Sequence, residues 1–162
     1  MRVIEPQEVI LADGRRLLIR AAYPSDAPAL LLGLERVAAE GGIGSQANIG
    51  QARELISRHK DRQALLLVAM DGGHLAGACG LSPEVAHVAS LGMFVLPEWR
   101  GSGAAALILE MALAWAKDAG YLKVSLGVLA SNGRAIGFYR KMGFSEEGER
   151  GQEEVLMARD LG

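Results

Sequence analysis

The sequence predicts an α/β sandwich on a mixed sheet, and three observations lead there. Segments of strand period alternate with segments of helix period along the chain. The first and last strands come as hairpins, which makes their neighbours antiparallel. Only one β-α-β-α stretch, residues 87 to 142, follows the early hairpins, too little for a fully parallel doubly wound sheet. At 162 residues the chain has the length of one domain, 1–162, able to bury a core without metals or disulfides.

Each element has its own signal. Residues 9–12 and 16–21 read as a hairpin around Asp13-Gly14, a strong short-range turn pair. Ser25 and Asp26 are placed to cap a helix over 27–40, with Leu30, Leu31, Leu34 and Val37 on one face. The nearly chargeless run GGIGSQANIG follows, and then a short amphipathic helix over 51–59. Residues 63–70 form a β-type run ending at Asp71-Gly72-Gly73, with 74–81 returning antiparallel and 87–96 as a further strand. A long helix over 102–118 keeps Leu107, Met111, Ala114 and Trp115 for the core. A strand over 123–129, a helix over 132–142 and a hairpin of 144–149 with 153–158 complete the chain.

Composition excludes several function classes. Seventeen basic residues stand against 19 acidic ones, a net charge of −2, so no global field holds nucleic acid or an anionic membrane. No apolar run reaches membrane-spanning length and the first residues lack a leader's apolar stretch, so a cytoplasmic protein is expected. Cys79 is the single cysteine, which suits a reducing compartment and reads as a packed thiol. His59, His74 and His87 have no spacing with it that suggests a metal site.

Two stretches carry chemistry. In PEWRGSGAAAL, Gly101, Gly103 and Ala106 satisfy the spacing G-x-G-x-x-G/A between a strand and a helix. A dinucleotide fingerprint is disfavoured, because Pro97 to Arg100 separate strand from glycines and no acidic residue ends the next strand. A Walker loop fails for want of Gly-Lys-Ser/Thr. A bare sharp turn into a helix is the plain alternative. What stands is the physics of a helix start, where unpaired N–H groups and the positive dipole end make an anion socket. Arg100 adds charge to its rim, and the small Ala104, Ala105 and Ala106 leave room outside.

The second stretch is ASNGRAIGFYRKMGF. Asn132 suits a helix cap, and Tyr139, seven residues on, faces the same side about 10 Å along the axis. Gly143 supplies a left-handed stop with Phe144 as its apolar follower. Alone, this reads better as a capped amphipathic helix with Phe138 in the core and Tyr139 at its border.

Together the two stretches resemble the GCN5-related N-acetyltransferases. VLPEWRGSGAA fits that family's R-x-x-G-x-G/A signature, with Ala105 at the last small position. Asn132, Ala135, Phe138, Tyr139, Gly143 and Phe144 fit its second motif, and IRAAYPSDAPALL is similar to its first strand and helix. The resemblance implies a mostly antiparallel central sheet flanked by helices, with a bulged strand before the pyrophosphate turn; Gly92 is the expected bulge. It implies acetyl coenzyme A as co-substrate and no metal. The pyrophosphate would be gripped by the backbone of Gly101, Ser102, Gly103, Ala104, Ala105 and Ala106 beside Arg100. Met93, Phe94 and Val95 would meet the pantetheine arm with Asn132 and Phe138, and Tyr139 would protonate the leaving sulfur.

The general base is not marked. Residues 87–96 hold no carboxylate, which leaves Glu84, His87 or a water chain. The expected acceptor is a small primary amine or amino acid, with a protein N-terminus or lysine as runner-up. A non-catalytic acyl-CoA sensor is the rival class. The five glutamates of EEGERGQEE would attract a cationic amine, or simply form a solvated hairpin. Homodimers are common in the family, but no surface here is marked for one.

Overall fold

The computed structural model describes residues 4–40, 64–151 and 153–162. The expected glycine-rich run and the helix over 51–59 lie outside the described residues. Among the described residues eight strands form one sheet in the order β1-β2-β3-β4-β5-β6-β8-β7, antiparallel at every junction except β5 with β6.

The first hairpin joins β1 (Gln7–Ile10) to β2 (Arg16–Ala21). Its turn rests on Asp13, whose Oδ1 accepts the Arg15 N–H at 3.0 Å, and on Gly14 at φ 88°. Helix α1 (Ala27–Ala39) follows a short 3-10 turn over Pro24–Asp26. Asp26 does not cap it. Its carboxylate accepts the Tyr23 N–H at 2.6 Å and the Arg20 guanidinium at 2.7 and 3.1 Å. The buried stripe of α1 is Leu30, Gly33, Leu34 and Val37, with Leu31 only half-buried. Gly33 packs closely: a Cβ there would lie 3.0 Å from side-chain atoms of both Leu75 and Phe94.

Strand β3 (Leu65–Asp71) turns into β4 (His74–Val85), four residues longer than the sequence pattern marked, and β4 into β5 (Val88–Val95). Helix α2 (Ala104–Asp118) leads to β6 (Lys123–Leu129), and helix α3 (Gly133–Lys141) to β7 (Ser145–Arg150) and β8 (Glu154–Asp160). The stripe of α2 is displaced from the expected one. Ile108, Leu109, Ala112, Leu113, Trp115 and Ala116 are buried, while Ala114 is exposed. Alanines lie all round this helix, so hydrophobic spacing alone does not set its phase.

Parallel β5, β6 and β7 succeed one another in one direction across the sheet, so two right-handed crossovers lay α2 and α3 on the same face. Helix α1 lies on the other, against Phe94. Between them Leu67, Val68, Leu81, Ile108, Leu109, Val124 and Met157 are fully buried, each contributing about 1.5–3 kcal/mol of transfer free energy.

The position of the site follows from one seam. Strands β5 and β6 pair only over Val88↔Lys123, Ala89↔Val124 and Ser90↔Ser125. Beyond Ser90, β5 stays paired with β4 as far as Val95, and β6 stays with β8 as far as Leu129. The sheet therefore parts between them. The bulge is not at Gly92, since the β4–β5 register runs unbroken from Gly77↔Val95 to Pro83↔Ala89. The irregularity lies between Pro83 and Val85, where β4 carries Glu84 as an extra residue. A bulge there bends the hairpin at its closed end and leaves the parted end free to splay.

Candidate active site

The parted strands open into a cavity of about 800 Å³, of the size that takes a small-molecule ligand. One wall is Met93, Phe94 and Val95 of β5. The mouth is Arg100, Gly101, Gly103, Ala105 and Ala106, and the opposite wall is Asn132, Phe138 and Tyr139 of α3.

At the mouth, Gly101 (φ 72°) and Gly103 (φ 91°) both hold left-handed backbone, which glycine alone adopts without strain. Gly103 is the N-cap of α2 and brings no capping side chain, so the first-turn amides of Ala105 and Ala106 are left for a ligand or water. Ser102 and Ala104 do not line the cavity. The Ser102 hydroxyl donates to the Trp99 carbonyl and accepts the Ala104 N–H at 3.3 Å, so its side chain is buried within the turn it stabilises.

Arg100 reaches the cavity with its charge already matched. Its two terminal nitrogens meet Glu40 at 2.7 and 2.8 Å, and its Nε donates to the Val95 carbonyl at 3.1 Å. The arginine beside it holds the Glu40 carboxyl below the ordinary carboxylate range. Arg134 and Lys141, by contrast, line the cavity, are exposed and make no ion pair among the described residues. Seven residues apart on α3 with Phe138 between them, they share a helix face; that spacing was the signal the sequence offered. Val37 and Glu40 at the end of α1, and Trp99, also line the cavity, and no local pattern announces them. Trp99 is held by the Arg15 guanidinium 4.2 Å from its ring, from a turn 84 residues earlier in the chain.

Asn132 caps α3, its Oδ1 accepting the Ala135 N–H at 3.2 Å. Tyr139 packs edge-on between Phe138 at 5.3 Å and Phe144 at 5.6 Å. Burial pushes its hydroxyl far above the ordinary tyrosine range, and negative charge on nearby Cys79 would push it further. It therefore stays protonated near neutral pH and has a proton to give. Burial likewise pushes the Cys79 thiol up to about 12, which leaves it an inert packed side chain. Of the base candidates, Glu84 accepts from the Ser125 hydroxyl at the closed end of the seam, and His87 sits exposed in the β4–β5 turn at φ 63°. No cluster of metal-binding side chains occurs among the described residues.

A helix start with bare amides, set at the mouth of a split sheet with Arg134 and Lys141 opposite, suits a transferase drawing on a nucleotide-tailed carrier. The solved structures share the architecture. A GNAT-family acetyltransferase from Streptococcus pneumoniae superposes with a TM-score of 0.78 at 27% identity, covering 90% of this chain and 99% of that one. The PaiA N-acetyltransferase from Thermoplasma acidophilum, solved in complex with coenzyme A, superposes with a TM-score of 0.76 at 25% identity over 89% and 98%. An uncharacterized N-acetyltransferase of Mycobacterium tuberculosis is 36% identical over 122 residues, 71% of this chain and 78% of its own length.

The family model of the GNAT acetyltransferases matches residues 34–144, and the chain belongs to that family. It is an acetyltransferase that depends on acetyl coenzyme A, as the resemblance of the two motifs implied.

Proposed function

We propose that the chain acetylates a small primary amine directly from acetyl coenzyme A, with Tyr139 as the general acid. The observation that carries this reading is the meeting, in one cavity, of the glycine-turn amides, the unpaired edge of β5 and a tyrosine that burial keeps protonated. Bound there, the coenzyme supplies a thioester whose carbonyl is open to attack by an amine. The amides of Ala105 and Ala106 and the cations Arg134 and Lys141 suit its phosphates. The β5 edge around Met93 to Val95 offers backbone partners to an extended arm. Tyr139 returns a proton to the sulfur as the bond to it breaks.

Mass-shift assays of an amine panel with acetyl coenzyme A, run beside calorimetry of its binding, test the reading. We expect turnover of at least one small amine; binding without any turnover overturns it. Tyr139→Phe should slow transfer about a hundredfold while leaving coenzyme affinity within about twofold. An unchanged rate removes Tyr139 from the acid role.

A second reading is favoured by one relative. A putative N-acetyltransferase of Bacillus subtilis, specific in its description for an alanine of ribosomal protein bS18, is 32% identical over 84 residues, 52% of this chain and 56% of its own length. A peptide with N-terminal alanine therefore belongs on the panel, and preference for it over free amines would favour a protein substrate.

A further inference from the structure

We infer that Glu154 is the residue that receives the acceptor amine, from the face of the sheet opposite Tyr139. The inference rests on the acetyltransferase reading above and deepens it by naming the group that meets the nucleophile.

The register places the site. Ser90 and Ser125 are the last paired residues of the seam, and partners across parallel strands share a face. Two residues further on each strand stand Gly92 and Gly127, the first same-face positions after the strands part. Both are glycine and both are exposed. A Cβ on Gly92 would meet nothing within 4 Å. Both lips of the split are thus bare of side chains at one level, and only on this face. The positions between them carry Leu91 and Met93 toward the other face, where Cys79 is the register partner of Met93 and a neighbour of Tyr139.

Among the described residues one carboxylate lies at that level. Glu154, on β8, reaches across β6 and lies over Gly127. A Cβ on Gly127 would stand 3.4 Å from its Oε2 and 3.7 Å from its Oε1, so the group lies where a side chain would otherwise be. Glu154 is half-buried and has no hydrogen-bond or ion-pair partner among the described residues. Its neighbours in the acidic hairpin are engaged or elsewhere: Glu146 pairs with Arg140, Glu147 with Lys123 at 2.8 Å, and Glu153 is exposed. A carboxylate lying over Gly127, with no side-chain partner among the described residues and set where the strands part, suits a protonated primary amine.

The proton balance then closes. The ammonium form gives one proton to the Glu154 carboxylate, which passes it to water. The free amine attacks the acetyl carbon, so a C–N bond forms as the C–S bond breaks. Tyr139 protonates the departing sulfur and recovers a proton from the acylated nitrogen. One proton is released to solvent per turnover, and acid and base act from opposite faces of the split.

The test uses Glu154→Gln, which keeps shape and removes charge, with spermidine, lysine and alaninamide as probe amines. In the coenzyme A-loaded chain, calorimetry should show amine binding weakened at least tenfold. With acetyl coenzyme A, kcat/KM for the best probe should fall at least thirtyfold, while coenzyme affinity and melting temperature match wild type. Gly127→Val, whose side chain would displace the carboxylate, should reproduce both losses. Amine binding and kcat/KM within twofold of wild type in Glu154→Gln overturn the inference alone. A wild-type chain that binds acetyl coenzyme A and acetylates no probe overturns the acetyltransferase reading and this inference together.

Discussion

Helix α1 begins and ends beside the same chemical device, an arginine whose fork grips a carboxylate. At its start Arg20 holds Asp26 at 2.7 Å; at its end Arg100 holds Glu40 at 2.7 Å. The surroundings differ. Side-chain exposure is 13% and 9% in the first pair but 21% and 37% in the second. The first carboxylate also takes the Tyr23 N–H, and its arginine lies 4.3 Å from the Tyr23 ring, so every part of it is committed to the turn. The second pair spans the cavity edge, within reach of Arg134's field. Identical geometry thus stands in two settings: one pair is committed to the turn before α1, while the other lies part-exposed at the edge of the cavity.

Breaking the first pair should have the largest effect. Asp26→Asn leaves Arg20 nearly buried without a counter-ion and should cost about 3 kcal/mol, read as a fall in melting temperature. The Arg20 fork holds the Asp26 carboxyl below its ordinary value in the folded chain. Its contribution is therefore present above the unfolded carboxyl value of about 3.9 and is lost as pH falls through the lower folded value. Melting of the wild type should drop across that acid window more steeply than melting of Asp26→Asn. Equal slopes would place Asp26 outside the stability balance.

Arg100→Ala comes next. It removes a cation from the socket and releases the Val95 carbonyl, and should raise the dissociation constant for acetyl coenzyme A about tenfold, 1.4 kcal/mol. Stability should fall less than in Asp26→Asn, and the reverse order would erase the distinction between the pairs. Glu40→Gln is the smallest change and the sharpest. It should alter stability by under about 1 kcal/mol, because the pair is partly exposed, yet tighten coenzyme binding about threefold by freeing Arg100. Weaker binding would mean that Glu40 positions Arg100 rather than competing for it.

Much of the fold was legible because its punctuation is local. Asp13-Gly14 and Asp71-Gly72-Gly73 mark hairpins by backbone preference alone, and the structure turns at both. The glycine turn and the Asn132 to Tyr139 helix were legible for the same reason. What escaped depends on distant partners. Leu107 and Ala114 look as apolar as Leu109 and Leu113, and only the sheet beneath decides which are buried. The Ser102 hydroxyl is turned onto the Trp99 carbonyl, an engagement the local pattern does not announce. Glu154 belongs, in sequence, to a solvated hairpin, and only the β6–β8 register carries it over Gly127.

The parting of β5 from β6 has one more consequence. An unpaired strand edge on a protein's rim invites another chain to extend the sheet. Here the open edge lies within the sheet, with paired strands on both flanks and α3 beside it. A slender unbranched molecule can thread it. On the proposed reading, that gap is an edge for a flexible arm rather than for another chain.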